Sequence, residues 1–298
     1  MTTLAMIRRN CKLFFKDKGI FFTSLITPLI LLVLYATFLA NVYRDSFIST
    51  LPAGFTLPDE VINGLVGGQL LSSLLAVCTV TVAFCANMLM VQDKISGAAN
   101  DFLITPVKKS SLAISYYIAT SISTLIICFV ALGASMIYLG VSGWYLSAGD
   151  IFALILDVFL LSMFGTALSS LINRFLSSQG QISAVGSIVS SGYGFICGAY
   201  MPISSFSEGL QKVISFLPGT YGTALLRNHA MRGVFAEMSA YGLSPEAIEG
   251  VKNALDCNLY FFDHKVALST MYLILAASVV VVLGAYILLH VLAGKKKG

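Results

Sequence analysis

Charge is what this sequence has least of. Only 11% of its 298 residues are Asp, Glu, Lys or Arg, where a soluble domain carries about 25%. With 57% of the chain hydrophobic, a core of ordinary size cannot hide the apolar surface, so a water-soluble globular fold is excluded and the expected solvent is lipid. Other shortages close off chemistry. The three histidines, His229, His264 and His290, have no ligand spacing, so no metal site is expected. No GxxxxGK[ST] phosphate loop occurs, and the terminal GKKKG lacks both the first glycine and the hydroxyl residue. HExxH, CxxC and GxSxG are absent too, so the chain is not expected to be an enzyme. Basic residues are scattered rather than gathered into a patch, which argues against nucleic-acid binding. The six cysteines give no disulfide framework. Cys78, Cys85, Cys128 and Cys197 fall within apolar runs, and Cys257 has no partner in its own loop.

What is present is apolar length. Residues 19–43, 61–92, 110–149, 175–207 and 266–294 contain no charged side chain, and a membrane-spanning helix needs only about 20 apolar residues. A further run, Ile151 to Ile172, is interrupted by Asp157 alone. The expectation is an all-α membrane protein with six spans, near Gly19–Leu39, Leu65–Met90, Leu112–Leu139, Ile151–Ile172, Gln181–Tyr200 and Val266–Leu292. Gly140, Gly143 and the Trp144-Tyr145 pair read as a turn at an interface after the third span. The first apolar run is too long for the core of a signal peptide.

The few charges are unevenly placed. With the N-terminus inside, Arg8, Arg9, Lys12, Lys16, Lys18, Lys94, Lys108, Lys109, Arg174, Lys295, Lys296 and Lys297 fall on the cytoplasmic side, 12 of the 18 basic residues. Glu208, Glu237, Glu246, Glu249, Asp256 and Asp263 fall on the other. The positive-inside rule therefore puts both termini in the cytoplasm. Residues 1–18 read as an amphipathic surface helix, with Leu4, Ile7, Cys11, Phe14 and Phe15 on one stripe and Arg8, Arg9, Lys12 and Lys16 away from it. Residues 19–298 form the transmembrane domain.

The first outer loop, Asn41 to Ile62, is short and contains Pro52, Gly54 and Pro58. The last, residues 201–264, looks folded. Ser205 and Glu208 have capping-box spacing ahead of an apolar face that ends at Pro218-Gly219. A second short segment runs to Arg227, and a third helix is expected from Ser244-Pro245-Glu246. Ser183, Ser187, Ser190, Gly194 and Gly198 line one side of the fifth span, which suits either close helix packing or a seam. Asp157 is a functional candidate because an intramembrane acid is costly. Its closeness to Asp150 suggests instead a hydrated or hydrogen-bonded place near the outer interface.

Residues 91–111, VQDKISGAANDFLITPVKKSS, are the one sizeable polar loop between spans on the cytoplasmic side. Gly97 permits a sharp entry, Asp101 to Ile104 can make a helical turn, and Pro106 must end it. A short helix at the membrane surface that exposes Phe102 or Leu103 is suited to a cytosolic partner.

GAANDFLITPV resembles the cytoplasmic signature of ABC-2 type exporter permeases: a charged cluster, Gly97, then Thr105-Pro106. GAYMPISSFSEGLQKVISFLPGTYGTALLR resembles the same family's pattern before the last span, with Gly198, Pro202, Pro218, Thr220, Tyr221 and Arg227 in place. Ile95 and Asn100 stand where the family usually has acids; Asp93 and Asp101 are the candidate substitutes. The resemblance implies the membrane half of an ATP-driven exporter of type V, in a bacterial plasma membrane. It implies a homodimer or heterodimer, with ATP and Mg bound by separate cytosolic ATPase subunits. It also implies coupling through Asp93, Gly97, Asp101, Phe102, Leu103, Thr105 and Pro106 beside Arg8, Arg9 and Lys12. An outer gate built from Gly198, Pro202, Pro218, Tyr221 and Arg227 follows, with re-entrant helices mapped to Phe206–Leu217 and Gly219–Arg227. A proton-coupled carrier using Asp157, or a scaffold that recruits an ATPase, are the competing readings.

Overall fold

The computed structural model describes residues 3–51, 55–103, 108–262 and 264–295, most of them helical. Thr105, Pro106, Pro52, Gly54, Asp263, Lys296 and Lys297 lie outside the described residues.

Helix α4, Asp59–Ile95, is the post around which the bundle is built. Its 37 residues make a rod of about 55 Å at 1.5 Å per residue, longer at both ends than its charge-free stretch suggests. Asp59 and Glu60 occupy its first turn and Lys94 its last. Each charge complements the helix dipole, which is why the helix runs on into polar sequence. Helices α6 (Lys109–Ser142), α7 (Ala148–Asn173), α8 (Gln179–Ile196) and α10 (Pro218–Ala240) pack around it, as does α2 (Lys18–Leu34). Helix α12, Leu268–Lys295, closes the far side against α7 and α10. Across the α4–α7 seam, Asn87 donates to Ser169 and Ser170 at 3.2 and 2.9 Å.

Helix α1, Thr3–Lys16, lies against α6, and Asp17 then caps the start of α2 by accepting from Ile20 N–H at 3.1 Å. The buried stripe of α1 is Met6, Asn10 and Phe14, whereas Leu4 and Phe15 are exposed. The docked face is thus rotated from the expected one, because α6 covers the helix from one side and leaves those two outward. The first span does not end at Leu39. A π-turn over Tyr35–Leu39 passes the chain into α3, Ala40–Thr50, which continues the helix through the expected loop. Arg44 ties this extension back to α4 through Asp59 and Asn63.

Among the described residues five helical stretches are long and apolar enough to cross a membrane: 18–49, 59–95, 110–142, 148–173 and 268–292. The expected fifth span, α8, is a helix but not one of these. Gln179, Gln181 and a high share of Ser and Gly dilute its apolarity. The turn at Gly143 falls where expected, and α7 starts at Ala148, three residues before the expected Ile151, behind a Ser147–Asp150 capping box.

The loop before α12 departs most from expectation. Ser205 does not cap a helix; it ends a 3₁₀ turn, Ile203–Ser205, and the short α9, Glu208–Ile214, begins after Ser207. Pro202 sets that turn up, since Ser205 N–H bonds back to its carbonyl and leaves the Ser205 backbone committed. The segment expected to stop at Arg227 is the first part of α10, which runs on to Ala240. Helix α11, Pro245–Ala254, starts at its expected Ser244 cap. A two-residue hairpin, β1 (Tyr260–Phe261) with β2 (His264–Lys265), leads into α12.

Candidate functional site

The end of the bundle where α4 and α12 finish is organised by one carboxylate. Asp93, on the last turn of α4, takes two bonds from the Arg9 guanidinium, at 2.6 and 2.9 Å. The same carboxylate accepts from the Tyr116 hydroxyl of α6 at 2.5 Å. That carboxylate holds the Arg9 pKa above its ordinary value. Arg9 also sits over the Phe102 ring, 5.1 Å from its centroid, within cation–π range. Phe102 belongs to α5, Ala98–Leu103, a short helix entered through Gly97 at φ +84. That left-handed backbone is the sharp entry expected of a glycine there. One arginine therefore joins α1, the central post and the short helix.

A second joint lies beside it. The Lys94 ammonium donates to the carbonyls of Asn173, Arg174 and Leu176 at 3.2, 2.7 and 3.2 Å, closing the end of α7. Arg174 reaches on to the Leu289 carbonyl of α12 at 2.7 Å.

Of the residues expected to face an ATPase, Asp93 is buried and bonded within the chain to Arg9 and Tyr116. Asp101 is exposed, Phe102 is half-buried under Arg9, and Leu103 ends α5. Arg8 and Lys12 stay exposed on α1.

The opposite end is held by a buried pair. Arg227 on α10 is fully covered; it donates to Asp256 at 3.1 Å and to the Gly198 carbonyl. Asp256 accepts as well from Ile203 N–H at 2.7 Å. Burial pushes the Asp256 carboxyl up, and Arg227 opposes that rise. Gly198 has φ +73, so it can turn its carbonyl toward the guanidinium where another residue would be strained. Pro202 precedes the 3₁₀ turn, Pro218 starts α10, and the Tyr221 hydroxyl donates to the Ser215 carbonyl at 2.6 Å. Of the residues expected at an outer gate, Arg227 and Gly198 thus meet at Asp256, which sequence reasoning placed only as a loop acid, and Tyr221 lines the same pocket as Asp256.

Asp157 takes the hydrogen-bonded alternative, deeper among the helices than the interface expected for it. It is fully buried, with His229 Nδ1 at 2.6 Å and the Tyr272 hydroxyl donating at 2.6 Å. Neither partner was foreseen. They come from α10 and α12, 72 and 115 positions away, and no local pattern links them.

Part of the small-residue row faces open space. A cavity of about 560 Å³ lies between α2, α4 and α8, lined by Thr23, Thr27, Gln92, Ser183, Ser187 and Ser190 among others. A more apolar groove, about 720 Å³, runs between α2, α4 and α6.

A family model described as ABC-2 family transporter protein matches residues 56–286. The chain belongs to the ABC-2 transporter family. It is a multi-pass membrane transport component, without an ATP-hydrolysing motif of its own. The ABC-2 match runs from just before α4 into α12 and leaves α1 to α3 outside. No curated protein and no solved structure gives a significant match.

Proposed function

We propose that this ABC-2 chain is the permease subunit of an ABC exporter, moving an amphipathic or lipid-linked substrate outward with energy from a separate cytosolic ATPase. The observation that carries the reading is the Arg9–Asp93–Phe102 junction, where α5 rests on a surface helix and on the longest helix of the bundle. A push on α5 has a short path into α4, and α4 packs against five other helices named above. The exposed Asp101 and the outer edge of Phe102 are the docking contacts in this scheme, with Arg8 and Lys12 at the rim.

The charge asymmetry of the sequence supports cytoplasmic termini, and α8 serves as the sixth span. The cavity along Ser183 and Ser187 supports a path between α2 and α8, completed by a second copy or a similar permease. Helices α9 and α10 form the re-entrant pair that caps the outer mouth. The order of contacts supports this: Gly222 near the start of α10 meets Leu161 inside α7, while Arg232 meets Asp150 at the head of α7 at 2.5 Å. Drugs, peptides, lipids and lipid-linked glycans all suit a cavity that mixes hydroxyl and apolar groups. The carrier reading has less support, because both oxygens of Asp157 are already hydrogen-bonded to side chains within the chain.

Phe102→Asp tests the reading. It places a carboxylate in the docking contact, where an unpaired buried charge costs several kcal/mol. The variant should insert normally but lose the co-purifying ATPase and substrate export together. Full retention of both would reduce α5 to a connector.

A further inference from the structure

The triad at Asp157 joins three helices and plays no part in the proposed coupling. Asp157 lies nine residues beyond Ala148, about 13 Å down α7 at 1.5 Å per residue. His229 brings α10 to it and Tyr272 brings α12. The His229 ring also stacks on Tyr272, with centroids 6.1 Å apart and planes at 29°.

Its charge balance is unusual. A tyrosine hydroxyl at 2.6 Å satisfies one carboxylate oxygen without neutralising it. Arg232 on α10, a cation that acts on Tyr272, is committed to Asp150 of α7, and its side chain is 57% exposed. Helix α4 has no charged residue between 61 and 92, α6 none between 110 and 142, and α12 none between 266 and 294. Among the described residues, the only group that faces Asp157 and can take a positive charge is His229. With a neutral imidazole the cluster would bury a net negative charge among apolar helices, which a low-dielectric interior penalises. One proton shared between carboxylate and imidazole removes it.

We infer that Asp157, His229 and Tyr272 form a single-proton site that locks α10 to α7 and α12, charge-neutral only while that proton is held. The inference goes beyond the proposed export role and needs only that these helices are buried in lipid. Its sign is fixed. The lock is complete at lower pH and weakens as pH rises through the site's titration, because the deprotonated pair must be hydrated or pulled apart.

The test uses the whole chain, purified and returned to liposomes. With ¹⁵N-labelled histidine, His229→Gln identifies the His229 signals at near-neutral pH, and infrared spectra compare wild type with Asp157→Asn. Two results support the site: a doubly protonated His229 ring, or a carboxylic-acid carbonyl band that Asp157→Asn removes. A neutral ring beside an ionised carboxylate overturns it. Hydrogen exchange along residues 222–234 then tests the lock. After correction for intrinsic rates, wild type should lose protection by up to about tenfold per pH unit as pH rises toward the titration of the locked site, as expected for one linked proton. Asp157→Asn should lose none. His229→Gln, which keeps a donor but removes the titrating ring, is the second control should Asp157→Asn misfold. An equal loss in wild type and in the folded variant sinks the lock.

Discussion

Two arginine–aspartate pairs hold the two ends of this molecule, and they are built differently. The Arg227 and Asp256 side chains are 1% and 6% exposed, and the pair's remaining bonds go to backbone groups, the Gly198 carbonyl and the Ile203 amide. Arg9 is 27% exposed, makes a two-pronged contact with Asp93, and spends its other face on an aromatic ring. A pair sealed on all sides is an anchor, since neither charge can find water if the other moves. A pair with one partner at the surface is a joint, because the guanidinium can exchange its carboxylate for solvent at modest cost. The ends of the bundle are therefore fixed to different degrees, and the looser one is where an external push is proposed to arrive.

The largest effect that would break this contrast is expected from Arg227→Met. It leaves Asp256 buried and unpaired, a change worth about 3–5 kcal/mol. The variant should express poorly or melt far below wild type in detergent. Arg227→Met combined with Asp256→Asn should recover much of the loss, since asparagine tolerates the left-handed backbone at position 256, φ 52. A single variant as stable as wild type would show that the pair is not an anchor.

Next in size is Asp93→Asn. It removes the charge from both Arg9 bonds, at about 1.5–3 kcal/mol for hydrogen bonds to a charged group. Because Arg9 can turn to solvent, the loss should appear as local release rather than global melting. Trypsin should cut α1 at the exposed Lys12 and Lys16 sooner, while the melting temperature shifts little. A melting shift as large as that of Arg227→Met would erase the difference between the two ends.

How much of this was legible beforehand follows the range of each interaction. Gly97 could be read locally, because an apolar run, a glycine and a nearby Thr-Pro step demand a turn; φ is +84 there. Ser244 could be read as a cap for the same reason. Ser205–Glu208 had the right spacing too, yet Pro202 drew Ser205 into a 3₁₀ turn first. The length of α10 was hidden because Arg227 looked like the end of a short polar segment, when its charge is met by Asp256 further along the chain. The Asp157 triad was out of reach for the same reason, as its partners lie on other helices.

Orientation offers a smaller effect, with one complication. Cys257 belongs to the loop proposed to face outward, but it is buried, and burial pushes its thiol up to about 12. A membrane-impermeant maleimide should therefore label it only after denaturation. An exposed position such as Glu246→Cys is the better outer reporter, set against Lys12→Cys inside. In intact cells the first should label and the second should not. The reverse pattern would invert the topology and put the joint, not the anchor, outside.

The smallest expected effect sharpens what kind of joint Arg9 makes. Arg9→Lys keeps the charge but not the planar fork, and an ammonium cannot pair both oxygens of Asp93 while lying flat over Phe102. The Coulomb attraction to Asp93 survives, and the Tyr116 hydroxyl still bonds the same carboxylate. Helix α1 should thus stay docked, with trypsin cutting Lys12 and Lys16 at nearly the wild-type rate. The contact with Phe102 is what weakens, by about 0.5–1 kcal/mol for an exposed cation–π pair. Hydrogen exchange along α5 should then rise several-fold while that of α1 hardly changes. If α1 and α5 loosen together, the two contacts are one rigid unit and α5 cannot move without dragging the surface helix. If α5 alone loosens, the ring contact is a separate hinge, and a push on α5 can reach α4 without first undocking α1.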